Sequence, residues 1–113
     1  MSWDKTNNII TNQFPELLQK LTKNKEIIEN LVIGTEKIMT IIPPGKIEGK
    51  KPSLLAAACL FLSCVMNNLL IEKKEISEVM GVSSEGINRT VKNIRKYLRK
   101  TPIKDDKWFI SCL

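Results

Sequence analysis

The pattern of apolar and polar positions along the chain predicts five helices, and the clearest of them runs from Pro52 to Met66. Apart from Pro52 and two serines this stretch, PSLLAAACLFLSCVM, is apolar on every side, whereas a surface helix keeps one polar face. At about fifteen residues it is shorter than the ~20 apolar residues of a membrane-spanning helix, and lysines flank the region on both sides. We therefore predict a core helix that is wrapped by the other helices.

Two predicted helices precede the core helix. Pro15 suits the start of a short helix, and we interpret residues 1–12 as either a frayed lead-in or a short helix of their own. Asn24 is a good N-cap for the next helix, residues 25–42, in which apolar residues recur three and four positions apart. Gly34 is expected to weaken this helix locally. A loop rich in proline, glycine and lysine follows it.

Two further helices follow the core helix and are separated by a very short turn. The first covers residues 74–80, and Gly81 is expected to end it with a left-handed C-terminal cap. Either Ser83 or Ser84 can then cap the last helix, residues 85–100. Two helices joined by so tight a turn predict a helix-turn-helix unit.

The last predicted helix has two distinct faces when its residues are placed at ~100° intervals. The apolar face consists of Ile87, Val91, Ile94 and Leu98. The opposite face carries Arg89, Lys92, Arg95, Lys96, Arg99 and Lys100, with Glu85 and Asn88 in the same sector. Such a basic stripe is found on any well-solvated helix, but it is also what a recognition helix presents to phosphates and base edges. The preceding turn favours contact with nucleic acid.

Length and charge agree with this interpretation. A chain of 113 residues fits one domain, with a core at about 14–100 and terminal segments at 1–13 and 101–113. Its 18 basic and 12 acidic residues give a net charge of +6, which favours a polyanionic partner.

The composition offers little for catalysis or metal binding. The chain has no histidine, no glycine-rich phosphate loop and no Cys-x-x-Cys spacing, and Asp105 and Asp106 form its one close carboxylate pair. Cys59 and Cys64 fall on the apolar core helix, where burial raises a thiol pKa. We therefore expect no enzyme activity, no metal, no cofactor, no small-molecule substrate and no membrane association. The start of the chain lacks the pattern of a secretory signal, so an intracellular protein is expected.

The second half of the chain contains two sequence motifs, and the spacing between them is part of the pattern. Gly49, Lys50, Lys51 and Pro52 precede Leu55, Ala56, Ala57 and Ala58; Lys74, Glu75 and Ile76 then precede Gly81 and Val82. Together with the order of helices, over about residues 14–98, these motifs resemble the cyclin-like repeat of the transcription factor IIB family, most closely its second repeat. The resemblance implies an all-α fold: a single five-helix cyclin-like domain with a buried central helix and a C-terminal helix-turn-helix.

In that family the last helix of the second repeat reads the promoter element beside the TATA box, and other surfaces contact the TATA-binding protein and DNA phosphates. By resemblance, the reading residues near the start of that helix are Glu85 and Asn88, with Arg89 and Lys92 close by. With the rest of the basic stripe, the turn and the loop before the core helix included, the candidate DNA-binding residues are Ser84, Glu85, Asn88, Arg89, Lys92, Arg95, Lys96, Lys50 and Lys51. The family usually has a small apolar residue in place of Glu85 and an arginine in place of Asn88, so we expect a different DNA sequence to be read. The family also carries a zinc ribbon and two repeats, so the chain is expected to be either a fragment of a longer factor or a reduced relative.

Two functions are consistent with these features. The first is a transcription initiation factor module that binds double-stranded promoter DNA and docks on the TATA-binding protein, on RNA polymerase or on both. The alternative is a cyclin-like scaffold that binds proteins without reading DNA, with the basic stripe and the apolar tail at 108–113 facing a partner. The first function implies the nucleus in a eukaryote, and the cytoplasm or a viral factory elsewhere.

Overall fold

The computed structural model describes residues 8–42 and 51–100, with the backbone alone for 98–100. Within these residues the chain is all-helical, has five helices and contains no strand. Helix α1, residues 9–20, is made of a π-helical turn Ile9–Gln13, an α-helical turn Phe14–Leu17 and a 3₁₀ turn Leu18–Lys20. The other four are α2 (Lys25–Ile41), α3 (Pro52–Met66), α4 (Lys73–Met80) and α5 (Ser84–Lys100).

Helix α3 is the centre of the fold, as the sequence predicts. Residues 55–60 are each at most 3% exposed, and α3 packs against all four other helices. The small side chains of Ala56, Ala57 and Ala58 allow the neighbouring helices to approach closely. Phe61 is an exception to the predicted burial on every side, because it is only partly buried at the edge of the core.

Helix α1 includes residues before Pro15, which agrees with the short helix that was one of two possibilities for residues 1–12. Pro15 lies in the first turn of the α-helical segment, as predicted, and the Phe14 amide donates to the Ile9 carbonyl oxygen five residues back. Ile10, Phe14 and Leu18, spaced four residues apart, are fully buried. Proline has no amide hydrogen for the usual helical bond, so a wider π-helical turn before it keeps the chain helical while these three side chains reach the core.

The caps of α2 and α3 follow the predicted pattern. Asn24 Oδ1 accepts from the amides of Glu26 at 3.0 Å and Ile27 at 3.4 Å, which confirms Asn24 as the N-cap of α2. Pro52 occupies the first turn of α3, where a missing amide hydrogen costs nothing.

Gly34 lies where α2 crosses α3, and its role is more than a local weakening of the helix. Ser63 Oγ donates to the Leu31 carbonyl oxygen at 2.8 Å, and Thr35 Oγ1 donates to the same oxygen at 2.7 Å. A Cβ atom on Gly34 would collide with Ser63 Oγ. The absence of a side chain at position 34 therefore lets the buried Ser63 hydroxyl reach the backbone of α2.

Cys59 and Cys64 are both buried in α3. Burial raises the pKa of the Cys59 thiol, whose Sγ lies 3.7 Å from Met39 Sδ. Burial, and to a lesser degree the charge of Glu75, raises the pKa of Cys64 to about 12. Both thiols therefore stay protonated near neutral pH and contribute to packing.

The contact at Gly34 yields a prediction on stability. We expect Gly34→Ala to lower the free energy of unfolding by about 1–3 kcal/mol, because the added methyl group overpacks the crossing. Urea denaturation followed by circular dichroism measures the change. The control Asn30→Ala, at an exposed position of α2, should stay within about 0.5 kcal/mol of wild type. Adding Ser63→Ala to Gly34→Ala should recover part of the loss, and a Gly34→Ala variant as stable as wild type would contradict the assignment.

Candidate nucleic-acid interface

The turn between α4 and α5 is set by one glycine and one serine. Gly81 has φ 70° and ψ 32°, the left-handed conformation predicted for the C-terminal cap of α4, and its amide donates to the Ser77 carbonyl oxygen at 2.9 Å. Ser83 Oγ accepts from the Gly86 amide at 3.0 Å, so Ser83 caps α5. Ser84 is the exposed first residue of the helix. Three residues thus separate α4 from α5.

The inner face of α5 fixes the rotation of the helix. Ile87, Val91 and Ile94 are fully buried against α3 and α4, as the helical spacing predicts. Thr90 is also buried, and its Oγ1 donates to the Gly86 carbonyl oxygen at 2.8 Å. With this face held in the core, the candidate residues of α5 lie on its flank and its outer face.

The outer face of α5 carries Glu85, Arg89, Lys92 and Lys96, all exposed. Arg89 Nη2 lies 3.5 Å from Glu85 Oε2, and the two side chains are 73% and 85% exposed respectively. An ion pair this exposed adds little to stability, but it offsets the charge of Arg89 on the surface. The net positive charge of the outer face therefore comes mainly from Lys92 and Lys96.

Lys73, at the start of α4, is the residue that the sequence-based prediction missed. Its Nζ donates to Asn88 Oδ1 at 2.7 Å and lies 4.9 Å from the centre of the Phe61 ring. Burial lowers the pKa of Lys73, and the nearby charges of Arg95 and Lys92 lower it further. The sequence does not indicate Lys73 as a candidate site residue, because the helix that it predicts begins at residue 74. The neighbours of Lys73 also belong to two other helices.

We call Lys73, Asn88, Lys92 and Arg95 the basic cluster. Asn88, Lys92 and Arg95 follow one another at intervals of four and three residues, so they share the flank of α5 that faces the start of α4. The positive charges of Arg95 and Lys92 are both near enough to Lys73 to lower its pKa, in addition to the larger effect of burial. The cluster therefore forms a site of concentrated positive charge that an anion would stabilise.

Two candidate DNA-binding residues, Lys50 and Lys51, precede α3 in the sequence, and the structure describes one of them. Lys51 is exposed at the N-cap position of α3, one turn from Leu54. Leu54 lies against Gly86 at the start of α5, so Lys51 belongs to the same end of the domain as the turn. Lys50 lies outside the described residues, as do the side chains of Arg99 and Lys100.

Residues 8–42 and 51–100 contain neither a metal-binding group of side chains nor a membrane-spanning helix. There, no group of three or more histidine, cysteine, aspartate or glutamate residues is arranged to hold a metal ion. No helix in these ranges has the length and apolar character needed to cross a membrane.

Comparison with known protein families matches residues 19–97 to the model described as Transcription factor TFIIB repeat. The matched span contains α2, α3 and α4 completely and α5 up to Tyr97, so it includes every residue of the basic cluster. No curated protein and no solved structure matches the chain.

The turn yields a prediction with a matched pair of serines. We expect Ser83→Ala to lower the free energy of unfolding by about 1 kcal/mol, because the Gly86 amide loses its acceptor. Thermal or urea unfolding measures the change. Ser84→Ala, one position later at the exposed start of α5, should be nearly neutral. Equal losses for the two variants would show that Ser83 is not the cap.

Proposed function

Because the chain belongs to the transcription factor TFIIB repeat family, whose fold is cyclin-like and all-helical, we propose that it is a transcription initiation factor module that binds double-stranded promoter DNA. In this proposal α4 and α5 act as a helix-turn-helix, with α5 as the recognition helix. The observation that carries the proposal is the basic cluster, which joins the start of α4 to the flank of α5.

Electrostatics supports a phosphate-rich partner. Burial lowers the pKa of Lys73, and the positive charges of Arg95 and Lys92 are near enough to lower it further. DNA phosphates would neutralise these charges and release counterions, so binding should weaken as salt concentration rises. Lys96, on the adjacent outer face, extends the positive surface along α5.

Base reading would fall to the first turns of α5. In this proposal Glu85 and Asn88, in the first turns of α5, are the residues that meet base edges, and both differ from the residues usual in the family. Glu85 can accept from a cytosine amino group but repels phosphate, and it is paired with Arg89 in the free protein. These differences support a DNA site unlike the one the family usually reads.

Protein partners would use another surface. We propose docking on the TATA-binding protein, on RNA polymerase or on both through faces other than α5. A groove of about 470 Å³ between α1 and α2 has an apolar floor that includes Ile33, which is 50% exposed, and acidic edges at Glu29 and Glu36. This groove is also the observation that favours the second candidate function, a cyclin-like scaffold that binds proteins alone.

One experiment separates the two functions. A labelled duplex containing a TATA element is titrated with the chain, with and without the TATA-binding protein, at two salt concentrations, and fluorescence anisotropy is recorded. Binding that tightens with the TATA-binding protein and weakens with salt supports the initiation-factor module. A duplex that stays free under all four conditions overturns it and favours the scaffold.

The outer face of α5 yields a prediction on affinity. We expect Lys92→Ala/Lys96→Ala to weaken DNA binding about tenfold or more and to reduce the slope of log affinity against log salt by about 1.8, because two phosphate contacts are lost. The control Lys23→Ala/Lys25→Ala removes the same charge from exposed positions beside the start of α2 and should have little effect. Equal losses for the two double variants would mean that only net charge matters, and would contradict a contact through α5.

Glu85 yields a prediction of the opposite sign. On a duplex of unrelated sequence, we expect Glu85→Gln to tighten binding about threefold to fivefold, because a charge that repels phosphate is removed and Arg89 is released from its ion pair. Anisotropy titrations at low salt measure the change, and the gain should shrink at high salt. Unchanged binding by Glu85→Gln would place Glu85 away from the DNA backbone, and weaker binding would contradict the repulsion.

A further inference from the structure

We propose that Lys73 is a positioning residue for base reading: it holds the amide of Asn88 so that this side chain presents N–H donors, and not its oxygen, to DNA. The inference rests on the proposed function, because it concerns what α5 offers to a base edge. It assigns to Lys73 a role in specificity in addition to its charge.

The hydrogen bond fixes the orientation of the amide. A lysine ammonium group has donors and no acceptor, so the Asn88 atom that lies 2.7 Å from Lys73 Nζ must be the oxygen. The NH₂ group then lies on the other side of the planar amide. A hydrogen bond from a charged donor is also stronger than one between neutral groups, so it resists the rotation that would exchange the two ends of the amide.

Lys73 is itself held from a second direction. Its Nζ lies 4.9 Å from the centre of the Phe61 ring, within the range of a cation–π interaction, and Phe61 belongs to the central helix α3. Contacts to α3 and α5 therefore position the ammonium group between two packed helices. The amide of Asn88 is consequently oriented before any DNA arrives, which reduces the ordering cost of binding.

The orientation has a consequence for which base is read. Recognition of adenine by asparagine uses both ends of the amide, since the oxygen accepts from N6 and the nitrogen donates to N7. The bond to Lys73 turns the oxygen of Asn88 toward the start of α4 and its NH₂ group away from it, so the side chain offers donors, which suit the N7 and O6 acceptors of guanine and oppose the amino group of cytosine. We therefore expect Asn88 to favour guanine over adenine, and this preference to depend on Lys73.

The test compares two neighbouring lysines of α4. Affinities are measured for duplexes with each of the four bases at the position where Asn88→Ala abolishes discrimination. We expect Lys73→Met to shift the ratio of adenine to guanine affinity about fivefold to tenfold toward adenine, because the amide can then rotate and turn its oxygen toward N6. The control Lys74→Met removes the same charge from an exposed position and should leave the ratio unchanged. Lys73→Arg, which still donates, should keep the wild-type preference.

A second readout works on the free protein. The side-chain NH₂ signals of Asn88 in a ¹⁵N–¹H correlation spectrum should move in Lys73→Met and stay in place in Lys74→Met, while the backbone amide signals confirm that both variants are folded. Unmoved NH₂ signals in Lys73→Met would overturn the positioning role. Wild-type binding with the same base preference in both methionine variants would also overturn it, and would leave the proposed function standing. Failure of the wild-type chain to bind any duplex would instead remove the proposed function and this inference with it.

Discussion

The burial of α3 is the constraint on which the rest of the structure depends. Residues 55–60 of α3 are almost completely removed from water, and such a helix is stable only when other helices surround it. Helices α1, α2, α4 and α5 each pack against α3 and together supply this cover. The small residues of α3 set how closely those helices approach, and the hydrogen bond from Ser63 to the α2 backbone beside Gly34 sets where α2 crosses. Because α3 accepts neighbours only in these positions, it also determines where α4 and α5 lie.

This packing converts the amphipathic pattern of α5 into a defined surface. Ile87, Val91 and Ile94 are held in the core, so the charged residues of the helix cannot rotate out of place. The same packing brings Lys73 of α4 over Phe61 and against Asn88, where it meets two further cations. The basic cluster is thus the feature of the fold that points most directly to a partner.

The basic cluster and the apolar groove lie on different helices. The basic cluster lies on α4 and α5, whereas the apolar groove between α1 and α2 is edged by Glu29 and Glu36. In the proposed function of this TFIIB repeat module, the basic cluster is the face that contacts DNA and the groove is the face that contacts a protein, and the two share no residue. In the proposed function the first face supplies salt-dependent affinity and the second supplies the choice of partner.

The sequence by itself determined the number and order of the helices, the N-cap at Asn24, the left-handed glycine at position 81 and the face of α5 that is buried. These features follow from local preferences and from helical periodicity, which reports how a helix is rotated about its own axis. Only the tertiary structure decided that Lys73 bonds Asn88 over Phe61 and that Ser63 bonds the backbone beside Gly34. These contacts join residues on different helices, and they depend on where the helix axes cross, which periodicity along the chain does not encode. The same reason applies to the residues of α1 before Pro15, because the burial of Ile10 depends on the helices that cover it.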